Sequence, residues 1–207
     1  MSETVVVPGE RDLKAALDGP PDATRCVVAC PPHPQAGGTR DNPVLTRLGE
    51  ELAARGVATL RFDYGPWADG PGEVADAVAA VAWAAERFPA VALFGYSFGA
   101  TVALAAAADV AGTTTAEAPT RSVVAVSTLA PAHRLPSLDT LAALERVPVP
   151  VQLLYAERDR VVDSVPVAER ARELGHAVAS LPGDHHFVGQ GSTVAQRVAD
   201  FLDGWWP

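Results

Sequence analysis

Positive charge is scarce in this chain. Its 207 residues hold 16 lysines and arginines against 25 aspartates and glutamates, a formal net charge of −9, and Lys14 is the single lysine. Nucleic-acid binding depends on cationic contacts to phosphate, so the deficit argues against a nucleic-acid partner. It argues equally against an anionic membrane surface. Cysteine is also rare. Cys26 and Cys30 lie on one expected strand, four residues apart, and at about 3.3 Å per residue they are too far apart for a disulfide. Val27, Val28 and Ala29 stand between them, which points to buried packing rather than metal ligation. A chain without a disulfide framework suits a reducing compartment. No uncharged apolar run reaches the roughly 18 residues of a membrane span. Met1-Ser2-Glu3-Thr4 lacks the basic-then-apolar pattern of a secretion signal. The expectation is a cytoplasmic protein without membrane association.

What is present is a 48% hydrophobic, 20% charged composition, ordinary for a globular protein. The length fits one domain over residues 1–207. Short apolar strands alternate with helical spacings. Strands are expected at Glu3 to Val7, Lys14 to Leu17, Arg25 to Cys30, Ala58 to Phe62, Val91 to Phe94, Ser122 to Val126, Val151 to Tyr155 and Ala177 to Leu181. Helices are expected at Asn42 to Arg55, Gly72 to Arg87, Ser97 to Val110, Leu138 to Leu144, Val165 to Leu174 and Ser192 to Trp205. This alternation implies a mostly parallel sheet covered by helices on both faces, a three-layer α/β sandwich. Residues 111–120 are expected to form a surface loop.

Gly95-Tyr96-Ser97-Phe98-Gly99 carries the clearest chemistry. A G-x-S-x-G pentapeptide between a strand and a helix is the sequence form of a nucleophile elbow. The serine sits on a turn so tight that side chains at the flanking positions would collide with their neighbours, hence glycine at both. Ser97 is therefore the candidate nucleophile. A serine hydroxyl needs a base, and the base needs a group that fixes its tautomer. In an open parallel sheet both should follow the carboxyl ends of later strands. After Tyr155 come Glu157 and Asp159; after Leu181 come His185 and His186. Asp159 is the first choice for the acid, with Glu157 able to substitute. His185 is the first choice for the base, with His186 as its rival. The chain order serine, acid, histidine is that of α/β-hydrolases.

An oxyanion hole would complete the set. One donor is expected from the backbone N–H of Phe98. The other is expected from the loop after Cys30, Pro31-Pro32-His33-Pro34-Gln35-Ala36-Gly37-Gly38. Pro34 has no N–H, which makes Gln35 the expected donor. His33 is a candidate for positioning this loop by hydrogen bonding.

Together, His33-Pro34 with Gly37-Gly38, Leu60 to Tyr64, Gly95 to Gly99, Asp159 to Val162 and Asp184 to Phe187 resemble the α/β-hydrolase superfamily. Within it, the chain is similar to small, lid-poor members of the dienelactone-hydrolase type. The resemblance implies the α/β-hydrolase fold with a minimal lid or none. It favours His185, which stands in an Asp-His-Phe context, over His186. Two departures stand out. Dienelactone hydrolases carry a cysteine where this chain has Ser97, and Gly65-Pro66-Trp67 replaces the Arg-Gly turn of many relatives. Tyr64 and Trp67, with His33, are pocket candidates, the two aromatics having packing on the adjacent helix as their alternative role. The expected activity is hydrolysis of an ester, thioester or similar acyl bond of a small molecule through an acyl-serine. No cofactor or metal is implied. The alternatives are acyl transfer by the same serine, and a non-catalytic binding module on a hydrolase fold.

Overall fold

A computed structural model describes residues 2–112 and 123–207. One eight-stranded sheet runs through it, in the order β1-β2-β4-β3-β5-β6-β9-β10. These strands are β1 (Ser2–Val7), β2 (Leu13–Asp18), β3 (Arg25–Cys30), β4 (Ala58–Phe62), β5 (Ala90–Tyr96), β6 (Val123–Leu129), β9 (Val151–Ala156) and β10 (Ala177–Leu181). The pairs β1–β2 and β2–β4 are antiparallel, and the remaining pairs are parallel. A two-stranded hairpin, β7 (Arg134–Leu135) and β8 (Leu138–Asp139), stands apart from the sheet.

The central strands show why helices cover both faces. In β3, Cys26, Val28 and Cys30 point to one apolar cluster, while Val27 and Ala29 point to the other. Alternate residues face opposite sides of a strand, so a strand apolar at every position needs cover on both. Helices α2 (Pro71–Ala85), α3 (Phe98–Gly112), α4 (Thr140–Arg146) and α5 (Val165–Glu173) supply the first cluster. Helices α1 (Pro43–Ala54) and α6 (Gly191–Asp203) supply the second. In α1 the apolar stripe Val44, Leu45, Leu48 and Leu52 is buried as its spacing predicts. Helix α3 is buried from Phe98 to Ala108 all round, which fits a run of alanines wedged between sheet and neighbouring helices. Both cysteines are free and fully buried, and burial pushes the Cys26 thiol up to about 12. They are core residues.

The elements sit where the sequence places them to within about three residues at each end, Ser122 lying outside the described residues, and some of the differences have a clear local cause. The helix expected at Leu138 begins at Thr140, because Leu138–Asp139 pairs back on Arg134–Leu135. The helix expected from Ser97 begins at Phe98, because Ser97 itself takes a left-handed turn. Of the loop expected at 111–120, the first two residues belong to α3, and the rest lie outside the described residues.

Strand order reverses between β3 and β5: the chain moves from β3 outward to β4, then returns to the other side of β3 as β5. The loops after these two strands therefore diverge and open a crevice at the carboxyl edge, the usual place for a site in an open α/β sheet.

Candidate active site

The elbow closes the β5–α3 junction. Ser97 has φ 58°, a left-handed conformation unfavourable for a side-chain-bearing residue. Its N–H donates to the Leu129 carbonyl at 2.8 Å, extending the β5–β6 ladder into the turn. A Cβ on Gly95 would run into the Gly99 carbonyl, and a Cβ on Gly99 into the carbonyls of Cys30 and Pro31. Both glycines are thus demanded by backbone-to-backbone contact, and the second presses the elbow against the loop after β3.

The loops after β9 and β10 meet Ser97 there. His185 Nε2 lies 2.9 Å from Ser97 Oγ, and His185 Nδ1 lies 2.7 Å from Asp159 Oδ2. Asp159 Oδ1 accepts the N–H groups of Val161 at 2.8 Å and Val162 at 3.0 Å. A carboxylate fixed on one oxygen by two amides presents the other to the imidazole, which puts the proton on Nδ1 and leaves Nε2 as the acceptor facing Ser97. The three side chains are almost wholly buried, with Ser97 at 9% and His185 at 6% exposure. Glu157 is exposed and accepts from the Ser180 hydroxyl instead. His186 is exposed, and its ring stands edge-on to His185 at the cleft rim.

Tyr96, just before the nucleophile, adds a link that the sequence reading did not contain. Its hydroxyl donates to the His185 backbone carbonyl at 2.6 Å. Burial, then the nearby Asp159 and Asp184 carboxylates, push its phenol up to about 12, so it stays a donor at neutral pH. Phe187, buried at 2% exposure and strained at φ 49°, anchors the same loop from below. No local pattern reveals a bond across 89 residues.

The loop after β3 corrects one expectation. Pro34–Ala36 forms a single 3-10 turn capped by His33, whose Nδ1 accepts the Gln35 N–H at 3.2 Å. Gln35 is exposed and does not line the cleft. Its amide is committed to the cap, so it is not the second oxyanion donor. Among the described residues no acceptor takes the N–H of His33 or of Phe98, and both residues line the cleft beside Ser97.

Packing holds His33 in place. Its ring lies 4.5 Å from the Trp67 ring and 4.8 Å from Phe98, centroid to centroid. Trp67 is carried by a loop pinned from beneath. Glu73 accepts the N–H groups of Ala68 and Gly70, both at 2.8 Å. Asp76 accepts from Gly65 at 2.9 Å and Arg11 at 2.6 Å. Trp67 thus backs His33 and is not itself among the cleft-lining residues. Tyr64 departs further from its expected pocket role. It is buried edge-on to Phe62 and Phe98, and its hydroxyl donates to the Pro31 carbonyl at 3.2 Å. Burial raises its phenol well above the ordinary range. It supports the loop from behind.

The resulting cleft has a volume of about 400 Å³. Ala132, Leu135, Val161 and Val162 form its apolar side. The β7–β8 hairpin, which contributes Leu135 to this side, is pinned where Thr140 Oγ1 donates to the Ala132 carbonyl at 2.7 Å. No helix among them is long and apolar enough to cross a membrane.

No protein-family model and no curated protein matches the chain. Solved structures do match it along nearly their full length. An α/β serine hydrolase without a lid from Xanthomonas campestris superposes with a TM-score of 0.81 at 23% identity, covering 100% of this chain and 95% of that one. An alpha-beta serine hydrolase homologue from Coxiella burnetii gives 0.79 at 24% identity, with 97% of each chain covered. A dienelactone hydrolase from Anabaena variabilis gives 0.78 at 23%, covering 100% and 99%. The chain has the α/β-hydrolase fold, and no separate lid domain is present among the described residues.

Proposed function

We propose that this protein is a serine hydrolase that cleaves an ester, thioester or similar acyl bond of a small molecule through an acyl-Ser97 intermediate. The carrying observation is the unbroken chain from Ser97 Oγ through His185 to Asp159, at 2.9 and 2.7 Å, with the second Asp159 oxygen tied to two amides. His185 Nε2 takes the Ser97 proton as Oγ attacks the acyl carbon. The N–H groups of Phe98 and His33 receive the negative charge that develops on the carbonyl oxygen; a donor of this kind typically contributes about 10²–10³ in turnover. His185 then gives the proton to the leaving group. Water then attacks the acyl carbon and loses a proton to the same nitrogen, which passes it to Ser97 Oγ as the C–Oγ bond breaks and the acid leaves. Asp159 keeps the imidazole in the required tautomer and stabilises its protonated form.

The cleft beside Ser97 opens to solvent, so water can reach the acyl-serine, which supports hydrolysis. Its volume suits short acyl groups. Labelling with a fluorophosphonate and release of p-nitrophenol from short-chain esters test the reading together. The expected result is stoichiometric labelling and turnover by the wild type, and neither by Ser97→Ala. Folded wild-type protein that does neither would refute it.

A further inference from the structure

Two side chains on one wall of the cleft have their acceptor atoms spoken for. His33 Nδ1 accepts the Gln35 N–H at 3.2 Å, and Asn42 Oδ1 accepts the Val44 N–H at 2.9 Å, capping α1. Both residues line the cleft beside Ser97 and both are half-buried. A neutral imidazole has one acceptor and one donor nitrogen, so a bond received at Nδ1 puts the hydrogen on Nε2. An amide whose oxygen is held by a backbone N–H keeps both hydrogens of its NH₂ to donate. Among the described residues no acceptor takes His33 Nε2 or Asn42 Nδ2. The capping bonds therefore do two things at once: they shape the loop, and they leave a donor-only edge.

Apart from the exposed His186, the rest of the lining supplies no side chain to satisfy that edge. It contains no aspartate, glutamate, lysine or arginine. Tyr96 spends its hydroxyl on the His185 carbonyl, and Ser97 faces His185. The opposite side is apolar, formed by Ala132, Leu135, Val161 and Val162. A cleft with donors on one wall and hydrocarbon on the other matches a molecule divided the same way.

Resting on the serine-hydrolase reading above, we propose that His33 Nε2–H and the Asn42 NH₂ form a subsite for a second oxygen acceptor of the substrate, a carboxylate or carbonyl separate from the acyl group under attack. The preferred substrates are then short acyl compounds with an apolar part and one further acceptor oxygen. Recognition of this kind discriminates, because the analogue without the oxygen leaves two half-buried donors with no partner on the substrate.

Two matched pairs of probes test this. p-Nitrophenyl butyrate against mono-p-nitrophenyl succinate places the acceptor on the acyl side. Phenyl butyrate against 4-carboxyphenyl butyrate places it on the leaving side. The expected result is a kcat/KM at least about 10-fold higher for the acceptor-bearing member of one pair, since a site built for such a group discriminates by at least this much. Asn42→Asp keeps an N-cap oxygen but replaces the donors with a negative charge, so it should erase or invert that preference; Asn42→Ser keeps the cap and should weaken it. Circular dichroism checks that both variants fold. Equal rates within both pairs, or a preference that survives Asn42→Asp, would overturn the subsite while leaving the hydrolase reading intact. Failure of all four esters together with failure of fluorophosphonate labelling would overturn both.

Discussion

The elbow and the loop after β3 meet at one point and differ in what fixes them. The elbow is shaped by backbone contact: Gly95 and Gly99 let backbone approach backbone. The loop has one such contact, where a Cβ on Gly38 would run into the Pro32 carbonyl, and adds side-chain ties to it. His33 and Asn42 cap its two ends, while Arg40 and Arg61 tie its middle to β2 and β4. Asp63 accepts the Arg40 N–H at 2.8 Å, and Arg61 donates to the Arg40 carbonyl at 2.5 Å and to Asp18 at 2.5 Å. Five of the twelve residues at 31–42 are exposed, whereas the elbow is buried throughout. A backbone-built feature fails by unfolding when it is disturbed. A side-chain-built feature can be loosened by degrees, which leaves room to tune a site without risking the fold.

Mutations can break this contrast. The largest effect belongs to the chemistry that both regions serve: Ser97→Ala should lower kcat/KM by about 10⁴-fold or more with no loss of fold. Asp159→Asn should cost nearly as much, about 10³–10⁴ in kcat, because the imidazole loses its tautomeric control. Gly99→Ala comes next. Its methyl group has only the Cys30 and Pro31 carbonyls to move into, so destabilisation of about 3 kcal/mol or more is expected, read as a fall in Tm of roughly 10 °C. His33→Ala should spare the melting temperature within a few degrees and lower kcat by about 10-fold, through loss of the cap that orients its own amide. If Gly99→Ala melted normally and His33→Ala unfolded the protein, the contrast would be reversed. The smallest active-site effect is expected from Tyr96→Phe, a decrease of about 3- to 10-fold in kcat at unchanged KM, since one hydrogen bond to the His185 loop is lost.

The same contrast separates what the sequence reveals from what it hides. A turn that sterics restrict to glycine leaves its mark at fixed spacing, so Gly95 and Gly99 could be read directly. Serine, acid and histidine could be found because each must follow a strand, and strands declare themselves by apolar runs. Gln35 misled for the opposite reason. Counting N–H groups along the loop finds which residues can donate, but not that His33 Nδ1 claims this one. Tyr64 stands at a strand end, where an aromatic can face either the pocket or the core, and only the position of Phe98 decides it. The β7–β8 hairpin has two residues in each strand, too few for any periodicity. Bonds made by side chains across long stretches of chain are the common element in each miss.

The order in which the parts arrive along the chain sets a timetable. Ser97 precedes its histidine by 88 residues, and β10, which delivers that histidine, is the last strand and forms the outer edge of the sheet. Synthesis runs from the amino end, and contacts this distant in sequence form late. Until that strand is in place, Ser97 has no imidazole beside it. Reactivity would then switch on only when the final strand docks, and loss of that edge strand alone would switch it off.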